Sequence, residues 1–443
     1  MTEKKPNFLA RFMKSASNIE HNELRSVMLS FLFVFCLMFA WYLLRPVRDA
    51  MASEWSDAEV SFLWNINFFI SAAVVALYGI AVSRIAFSKL VPGVYAFFGL
   101  SFVVFYFASG SVTDTVLLDK IFYVWVSVFS LFHVSVFWSF MSDLFSKDQS
   151  NRLFAFIAAG SSAGALAGPW FVSQFGESMG TDQLMLVASV VLVVPIGLVL
   201  YLERLKVIDL HNESVHADLR AAKIGGNPFA GFRMFATNPY LLAIGAFILL
   251  YTAVGSFVYF EQKNLLALYA DTREERAVIL ARVDLVVNIL TFMIGMFATS
   301  RIVARLGMPA TLALIPVFIV AGLLILAFAP ILIVVLALQV GRRAGNYAIT
   351  RPAREMLFTA VDRETRFKAK PVIDIVVYRG GDAISSIAFA GLTDGLGFGL
   401  AAMAAIGAGI AAAWAAVGAY LGRMFGRLEG DTVRRADQVT QEG

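Results

Sequence analysis

Six arginines lie in residues 332–370, LIVVLALQVGRRAGNYAITRPAREMLFTAVDRETRFKAK, and the first four fall close together. The stretch begins as ten residues of hydrocarbon-compatible chain interrupted only by Gln339, and Arg342, Arg343, Arg351 and Arg354 come next without a long loop signal. At the regular helical phase, Arg343, Asn346, Tyr347, Thr350, Arg351 and Arg354 lie within roughly 140° of one another. One face is therefore apolar and the other a cationic ladder. If Pro330 marks the outer end, Arg343 lies about 20 Å along the helix, deep in a hydrocarbon layer of about 30 Å. An arginine there costs at least ~2.5 kcal/mol on insertion scales, so it must face water or a counter-charge. A row of guanidinium groups beside water is a seat for an anion.

Residues 374–385 supply counter-charges. Asp374, Tyr378, Gly381, Asp382 and Ser385 share one helical face within roughly 100°. Carboxylates beside an arginine ladder keep it from standing bare; the alternative is a purely structural Arg–Asp lock between neighbouring helices. A second cationic group sits in WYLLRPVRDA (41–50), where Arg45, Arg48 and Asp49 are a turn apart around Pro46. It reads either as a snorkelling helix end with an aromatic belt or as a cationic lip to a cavity. Asn65 and Asn67 suit interhelical hydrogen bonds or ligand contact equally. His133 reads as a packing residue before a proton relay. Tyr259, Glu261 and Lys263 close one apolar run, and Arg282 and Asp284, read as a mutual pair or as snorkelling side chains, open the next. Gly160, Gly164 and Gly168, at four-residue spacing, let another helix approach closely.

The elements that must hold these groups are membrane spans. Over 443 residues the chain is 59% hydrophobic and 15% charged, with mean hydropathy +0.74. A soluble fold of this size cannot hide so much apolar surface. Apolar runs of spanning length recur throughout, without the short alternating segments of a β-barrel. The reading is an all-α polytopic membrane protein with twelve spans, at 24–44, 58–82, 90–109, 120–145, 153–175, 182–202, 239–262, 277–300, 310–328, 330–358, 371–393 and 397–421. The first run is longer than a signal-peptide core and lacks a cleavage pattern, so it is read as retained. The single Cys36 rules out a disulfide framework.

Loop charge sets the orientation. Arg84, Lys89, Lys147, Arg152, Arg301, Arg305, Arg363, Arg366, Lys368 and Lys370 share one side; Asp114, Glu177, Asp182 and Asp394 share the other. The positive-inside bias then puts both termini in the cytoplasm of a bacterial inner membrane. The domain reading is a basic tail (1–23, with Lys4, Lys5, Arg11 and Lys14), a six-helix bundle (24–202), a linker (203–238, with GGNP at 225–228), a second six-helix bundle (239–421) and a tail (422–443). Ser83-Arg84-Ile85 and Pro92 recur as Ser300-Arg301-Ile302 and Pro309, 217 residues on, and Leu144-Phe145 recurs as Leu357-Phe358, 213 residues on. These echoes support two parallel repeats, the major facilitator arrangement, with substrate near the midplane.

No glycine-rich phosphate loop follows a strand, no HExxH occurs, and four histidines and one cysteine argue against metal or thiol chemistry. The reading is a chain that is not an enzyme and takes no cofactor. Three stretches, WYLLRPVRDA (41–50), VFWSFMSDLFSKDQSNRLFAFIAAGSSAGALAGP (136–169) and RPAREMLFTAVDRETRFKAKPVIDIVVYRGGDAIS (351–385), resemble the nucleotide transporter family. Its members include the ATP/ADP translocases and shorter bacterial NTP/NDP exchange transporters. The resemblance implies a major facilitator-like fold and exchange of nucleotides or similar phosphorylated anions. It carries over Arg45, Arg48, Asp49, Arg351, Arg354, Asp374, Tyr378, Arg379 and Asp382. Buried cations here are nearly all arginine, where well-studied exchangers also use lysines and glutamates; Lys263 and Glu261 are nearby candidates for those roles and are not carried over with the motif.

The sequence thus predicts an alternating-access antiporter of organic anions, nucleotide or phosphorylated metabolite, with a lipid bilayer and a small anion as partners, no nucleic acid, and a monomeric state. Substrate contacts fall to Arg45, Arg48, Asp49, Asn67, Arg343, Asn346, Tyr347, Arg351, Arg354 and Tyr378, and coupling or counter-charge to Asp374, Asp382 and Glu261. Tyr347 and Tyr378 either stack on a ring or fill space. The competing readings are a proton- or sodium-coupled symporter, a membrane enzyme acting on a lipid-linked phosphate, and a sensor that has lost transport.

Overall fold

The computed structural model describes residues 19–20, 22–85, 87–208, 230–361, 369–370 and 372–442. Lys4, Lys5, Arg11 and Lys14, the GGNP stretch and the loop cations Arg363, Arg366 and Lys368 lie outside the described residues. In hydrocarbon every backbone N–H and C=O must bond within its own segment, and the apolar runs accordingly form helices. The first six are α1 (Leu24–Ala52), α2 (Asp57–Arg84), α3 (Phe87–Ser109), α4 (Val116–Leu144), α5 (Lys147–Met179) and α6 (Thr181–Ile208). A short helix, α7 (Ala230–Thr237), stands at the end of the expected linker. Then come α8 (Pro239–Tyr269), α9 (Arg273–Phe297), α10 (Thr299–Phe328), α11 (Leu332–Gly345), α12 (Arg351–Leu357), α13 (Tyr378–Ala390) and α14 (Leu400–Glu442). There is no strand among the described residues.

Local chemistry sets several boundaries. Ser146 and Gln149 form a reciprocal cap at the start of α5. The Asn238 side chain accepts from the amides of Tyr240 and Leu241, ahead of Pro239 in the first turn of α8. Gly180 closes α5 at φ 82°, and Gly307 breaks α10 at φ 69°.

Each of the twelve expected spans falls on helical chain, and the protein is an all-α polytopic membrane protein. Nine helices among the described residues are long and apolar enough to cross a membrane. The tenth and eleventh spans are not single regular helices. A π turn, Asn346–Thr350, joins α11 to α12, and another, Val372–Val377, runs into α13. The first helix also exceeds its expected end, running through Pro46 to Ala52, so Arg45, Arg48 and Asp49 lie inside it.

Two compact units are present. One comprises Met1–Met51, Phe69–Ile224 and Thr272–Leu285; the other comprises Ala52–Phe68, Gly225–Asp271 and Val286–Gly443. The first holds an aromatic core in which Phe33 meets Phe137 edge-on at 4.9 Å and Phe98 meets Phe129 at 5.1 Å. On α3, Phe97, Leu100, Val104 and Phe107 are all exposed at three- and four-residue spacing, a stripe fit for lipid. In the second unit α10 lies along α14, and α8 packs on α11, α13 and α14. Its core includes Trp414, fully buried between the rings of Phe247 at 5.5 Å and Tyr251 at 5.6 Å.

The glycine stripe of α5 does what its spacing implied. A Cβ on Gly164 would stand 3.0 Å from the Cβ of Met38 and closer still to the Phe35 carbonyl, and one on Gly168 would stand 2.7 Å from the Cβ of Tyr42. The backbones of α1 and α5 meet because no side chain intervenes. We expect Gly164→Val to lower stability by about 1–3 kcal/mol through overpacking, read as an earlier thermal transition in detergent. Gly197→Ala, in open space, should leave it unmoved.

Candidate functional site

The polar face of the second unit begins with the break in the tenth span. Glycines seat α11 on α10: a Cβ on Gly322 would strike Leu338, one on Gly341 would strike Phe318, and one on Gly345 would strike Ile315. The π turn then adds a residue to the helical turn and frees backbone carbonyls. One of these, Ala348, accepts a 2.6 Å hydrogen bond from the Thr299 hydroxyl.

The regular phase expected between Arg343 and Arg354 is thereby lost, and the ladder divides into two clusters. Arg342 and Arg343 are buried at 8% and 5% exposure, whereas Arg351 is exposed. Arg354 joins a network instead, 3.5 Å from Glu355 and 3.7 Å from Asp374; Lys370 reaches Glu355 at 2.7 Å and Asp374 at 3.8 Å. The Arg–Asp contact between the tenth and eleventh spans is thus present, as one of four linked charges.

Arg342, which the helical phase did not single out, is the best-built cation of this face. Its Nε and Nη2 both donate to the Gln339 side-chain oxygen, at 3.1 and 2.7 Å. Its guanidinium lies 5.9 Å from the Tyr251 ring centre, and Gly255 leaves room for it against α8, where a Cβ would be 3.1 Å from Nη1. Tyr251 in turn faces Tyr378 of α13 at 6.0 Å. Asp382 is within electrostatic reach of Arg342 and stands 3.9 Å from Arg379. Asn346 is buried on the π turn, while Tyr347 on the same turn is 38% exposed. Ser385 and Ser256 bond at 2.9 Å and hold α13 to α8.

Asn67 is partly buried on α2, in the segment that belongs to this second unit. That segment carries a second charged group. Lys263 pairs with Asp57 at 2.7 Å and donates to the Trp55 carbonyl at 2.7 Å, and Asn264 donates to Asp57 at 3.1 Å. Beside them Glu261 is fully buried, and neither of its oxygens has a hydrogen-bond partner among the described residues.

In the first unit the α1 motif is charge-balanced. Arg48 donates twice to Asp49, at 2.7 and 3.0 Å, and once to Ser127 at 3.3 Å, with its guanidinium 5.6 Å from the Trp41 ring and 5.4 Å from that of Tyr123. Arg45 lies 3.7 Å from Asp49 and 3.3 Å from Asp284. The expected Arg282–Asp284 pair is corrected: Asp284 is buried against Arg45, and Arg282 is exposed. His133 stacks on Trp41 at 5.2 Å, with Nδ1 2.9 Å from the Ser130 carbonyl, which accounts for it as packing.

Residues 30–350, more than half of the chain, match the family model described as Major Facilitator Superfamily. None of the curated proteins matches the chain. Among solved structures it is similar to the nucleoside transporter NupG, at 15% identity over 91% of this chain and 99% of that one, with a TM-score of 0.64. It is also similar to a POT family transporter in complex with a thioalcohol-conjugated peptide (12% identity, 90% and 96% covered, TM-score 0.61). A third is a bacterial homolog of the human lysosomal transporter Spinster, inward-facing and unoccupied (14% identity, 93% and 97% covered, TM-score 0.56). These likenesses establish the fold.

The Gln339 amide holds Arg342 without cancelling its charge. Gln339→Leu keeps the volume and removes both acceptor contacts of a buried cation, so it should lower stability by about 1.5–3 kcal/mol. Thermal unfolding of the purified protein measures it, with Arg351→Gln, at an exposed position, as the silent comparison.

Proposed function

The chain belongs to the Major Facilitator Superfamily, and we propose that it is an alternating-access antiporter of organic anions, nucleotides or other phosphorylated metabolites. The observation that carries this reading is the buried Arg342–Arg343 pair, with Arg342 oriented by a neutral amide and set against tyrosines. A guanidinium stays charged when buried and binds phosphate oxygens in pairs through a planar fork. Tyr378, Tyr251 and the exposed Tyr347 offer ring faces to a base or sugar. Asp382 is the counter-charge that a bound phosphate would relieve. The resemblance of residues 41–50, 136–169 and 351–385 to nucleotide transporters supports the phosphorylated end of the class.

In this reading Arg45 and Arg48 exchange Asp49 and Asp284 for substrate oxygens during transit, and Asn67 supplies a neutral contact. Arg351, Arg354 and Asp374 attract and release the anion at the end of α12. An empty site leaves Arg342 held by a neutral amide and opposes the switch between access states; a bound anion removes that penalty. Obligate exchange is the consequence, because the carrier returns only when loaded again.

Purified protein should be stabilised against heat by nucleotides or sugar phosphates, by about 2.7 kcal/mol at a hundredfold excess over Kd. Arg342→Met and Arg343→Met should abolish that shift, and Arg351→Ala should weaken it. Stabilisation by nucleotide that survives all three substitutions would remove the arginines from the mechanism. In proteoliposomes, efflux should require anion on the opposite side. Flux that follows a pH gradient without such stimulation would replace exchange with ion-coupled symport.

A further inference from the structure

Glu261 stands apart from the anion reading. It is completely buried on α8, and both carboxyl oxygens lack a hydrogen-bond partner among the described residues. The Gln262 side-chain oxygen beside it is also buried without a partner among the described residues. Two residues on from Glu261, Lys263 is 4% exposed and pairs with Asp57 at 2.7 Å; Asp57 is equally buried and also accepts from Asn264. The adjoining turn of α2 is fastened by a carboxylate from the end of the eleventh span, with the Ala58 amide donating to Asp394 at 2.7 Å. Asp57 is close enough for its charge to act on Glu261. The aromatic rings of Trp64, Tyr259, Phe260 and Phe389 pack on one another around the same turns.

The arrangement holds two carboxyl groups for one buried ammonium. An ionised carboxylate with neither a hydrogen bond nor an ion partner is heavily penalised in such surroundings, so only one of the two acids is satisfied as an ion. Lys263 is committed to the acid of α2 at 2.7 Å, and, two residues on along the helix, it does not face Glu261.

We propose that Glu261 is a proton-binding site, and that its proton decides whether Lys263 holds Asp57. With Glu261 protonated, the ammonium is committed to Asp57, and Ala52–Phe68 stays docked on α8 and α13. When Glu261 releases its proton to solvent, the new carboxylate stands without a partner beside the charge of Asp57 and repels it. Asp57 moves toward water and off Lys263, which draws the start of α2 away. The groups that bear on this release are Asp57 of α2, Lys263 of α8 and Asp394 beyond α13. The inference needs only an alternating-access cycle, and its test needs no substrate.

Ser61 reports the docked state, being 4% exposed with its hydroxyl 3.1 Å from that of Ser386. In a Cys36→Ser background, Ser61→Cys is titrated with a thiol reagent in detergent, and its labelling rate is divided by that of the exposed Ser56→Cys, so that thiolate ionisation cancels. The ratio should rise with pH, by up to about tenfold per unit for a single released proton. Glu261→Gln, neutral at every pH, should hold the ratio low and flat. Asp57→Asn, which leaves Glu261 in place, should raise the ratio at all pH values and erase its slope, and so tests the release even if the glutamine variant fails to fold. A pH-dependent ratio that persists in Glu261→Gln, or one unchanged by Asp57→Asn, overturns the assignment.

Discussion

A charge removed from water into packed apolar helices needs a partner at hydrogen-bond distance, and that requirement decides where this molecule can put its ions. Lys206 sits on Asp143 at 2.8 Å, Arg152 grips Glu23 with two nitrogens, and Arg273 holds Asp119 at 2.7 Å. These pairs are settled and oppose any change. Among the described residues, Arg342 and Glu261 depart from the pattern. Arg342 is oriented by the oxygen of a neutral amide, and Glu261 has no donor among the described residues. An amide fixes the direction of a guanidinium while leaving its charge available, whereas a carboxyl without a donor favours its neutral form. One departure suits a guest anion and the other suits a proton.

Placing such groups inside a bundle requires backbone adjustment. A regular helix from Leu332 to Leu357 would carry Arg343, Arg351 and Arg354 on one stripe. The π turn rotates the chain beyond Thr350, so that Arg351 becomes exposed and Arg354 meets Asp374. The turn is supported where the Ala348 carbonyl takes a hydroxyl instead of an amide, and where Gly341 and Gly345 let α11 sit close on α10. The irregularity falls where the polar groups concentrate, and the apolar parts of the same helices stay regular.

Helix existence was legible because hydrocarbon tolerates no other open segment, but helix ends were not: Leu24–Ala52 runs eight residues past its expected end and Thr299–Phe328 begins eleven before its expected start; the family match agrees with the fold the spans imply. Glycine spacing on α5 was legible for a related reason, since four-residue small-side-chain periodicity has a direct steric consequence. The charged partners were harder to see. Arg45 with Asp284, and Lys263 with Asp57, join residues about two hundred positions apart, and nothing local in the chain records such a pairing. The π turn was equally hidden, because NYAIT contains no helix breaker. Gln339 did carry a signal: a lone amide in an apolar run, three residues before Arg342, is placed to cap that arginine from its own helix.

The exchanged segments show why ion pairs suit a moving part. Ala52–Phe68 buries Trp55, Val60 and Leu63, and that apolar ridge supplies strength without direction. Apolar area responds to neither ligand charge nor protonation, so a ridge alone would hold one state under all conditions. The polar contacts beside it, Asp57 with Lys263 and the Ala58 amide with Asp394, contribute less net stability because each buried ion gives up its hydration. They fix the register, however, and a partner can be exchanged for water when the local charge changes. A segment held by both kinds of contact therefore keeps one part of its attachment that answers to charge and one part that does not.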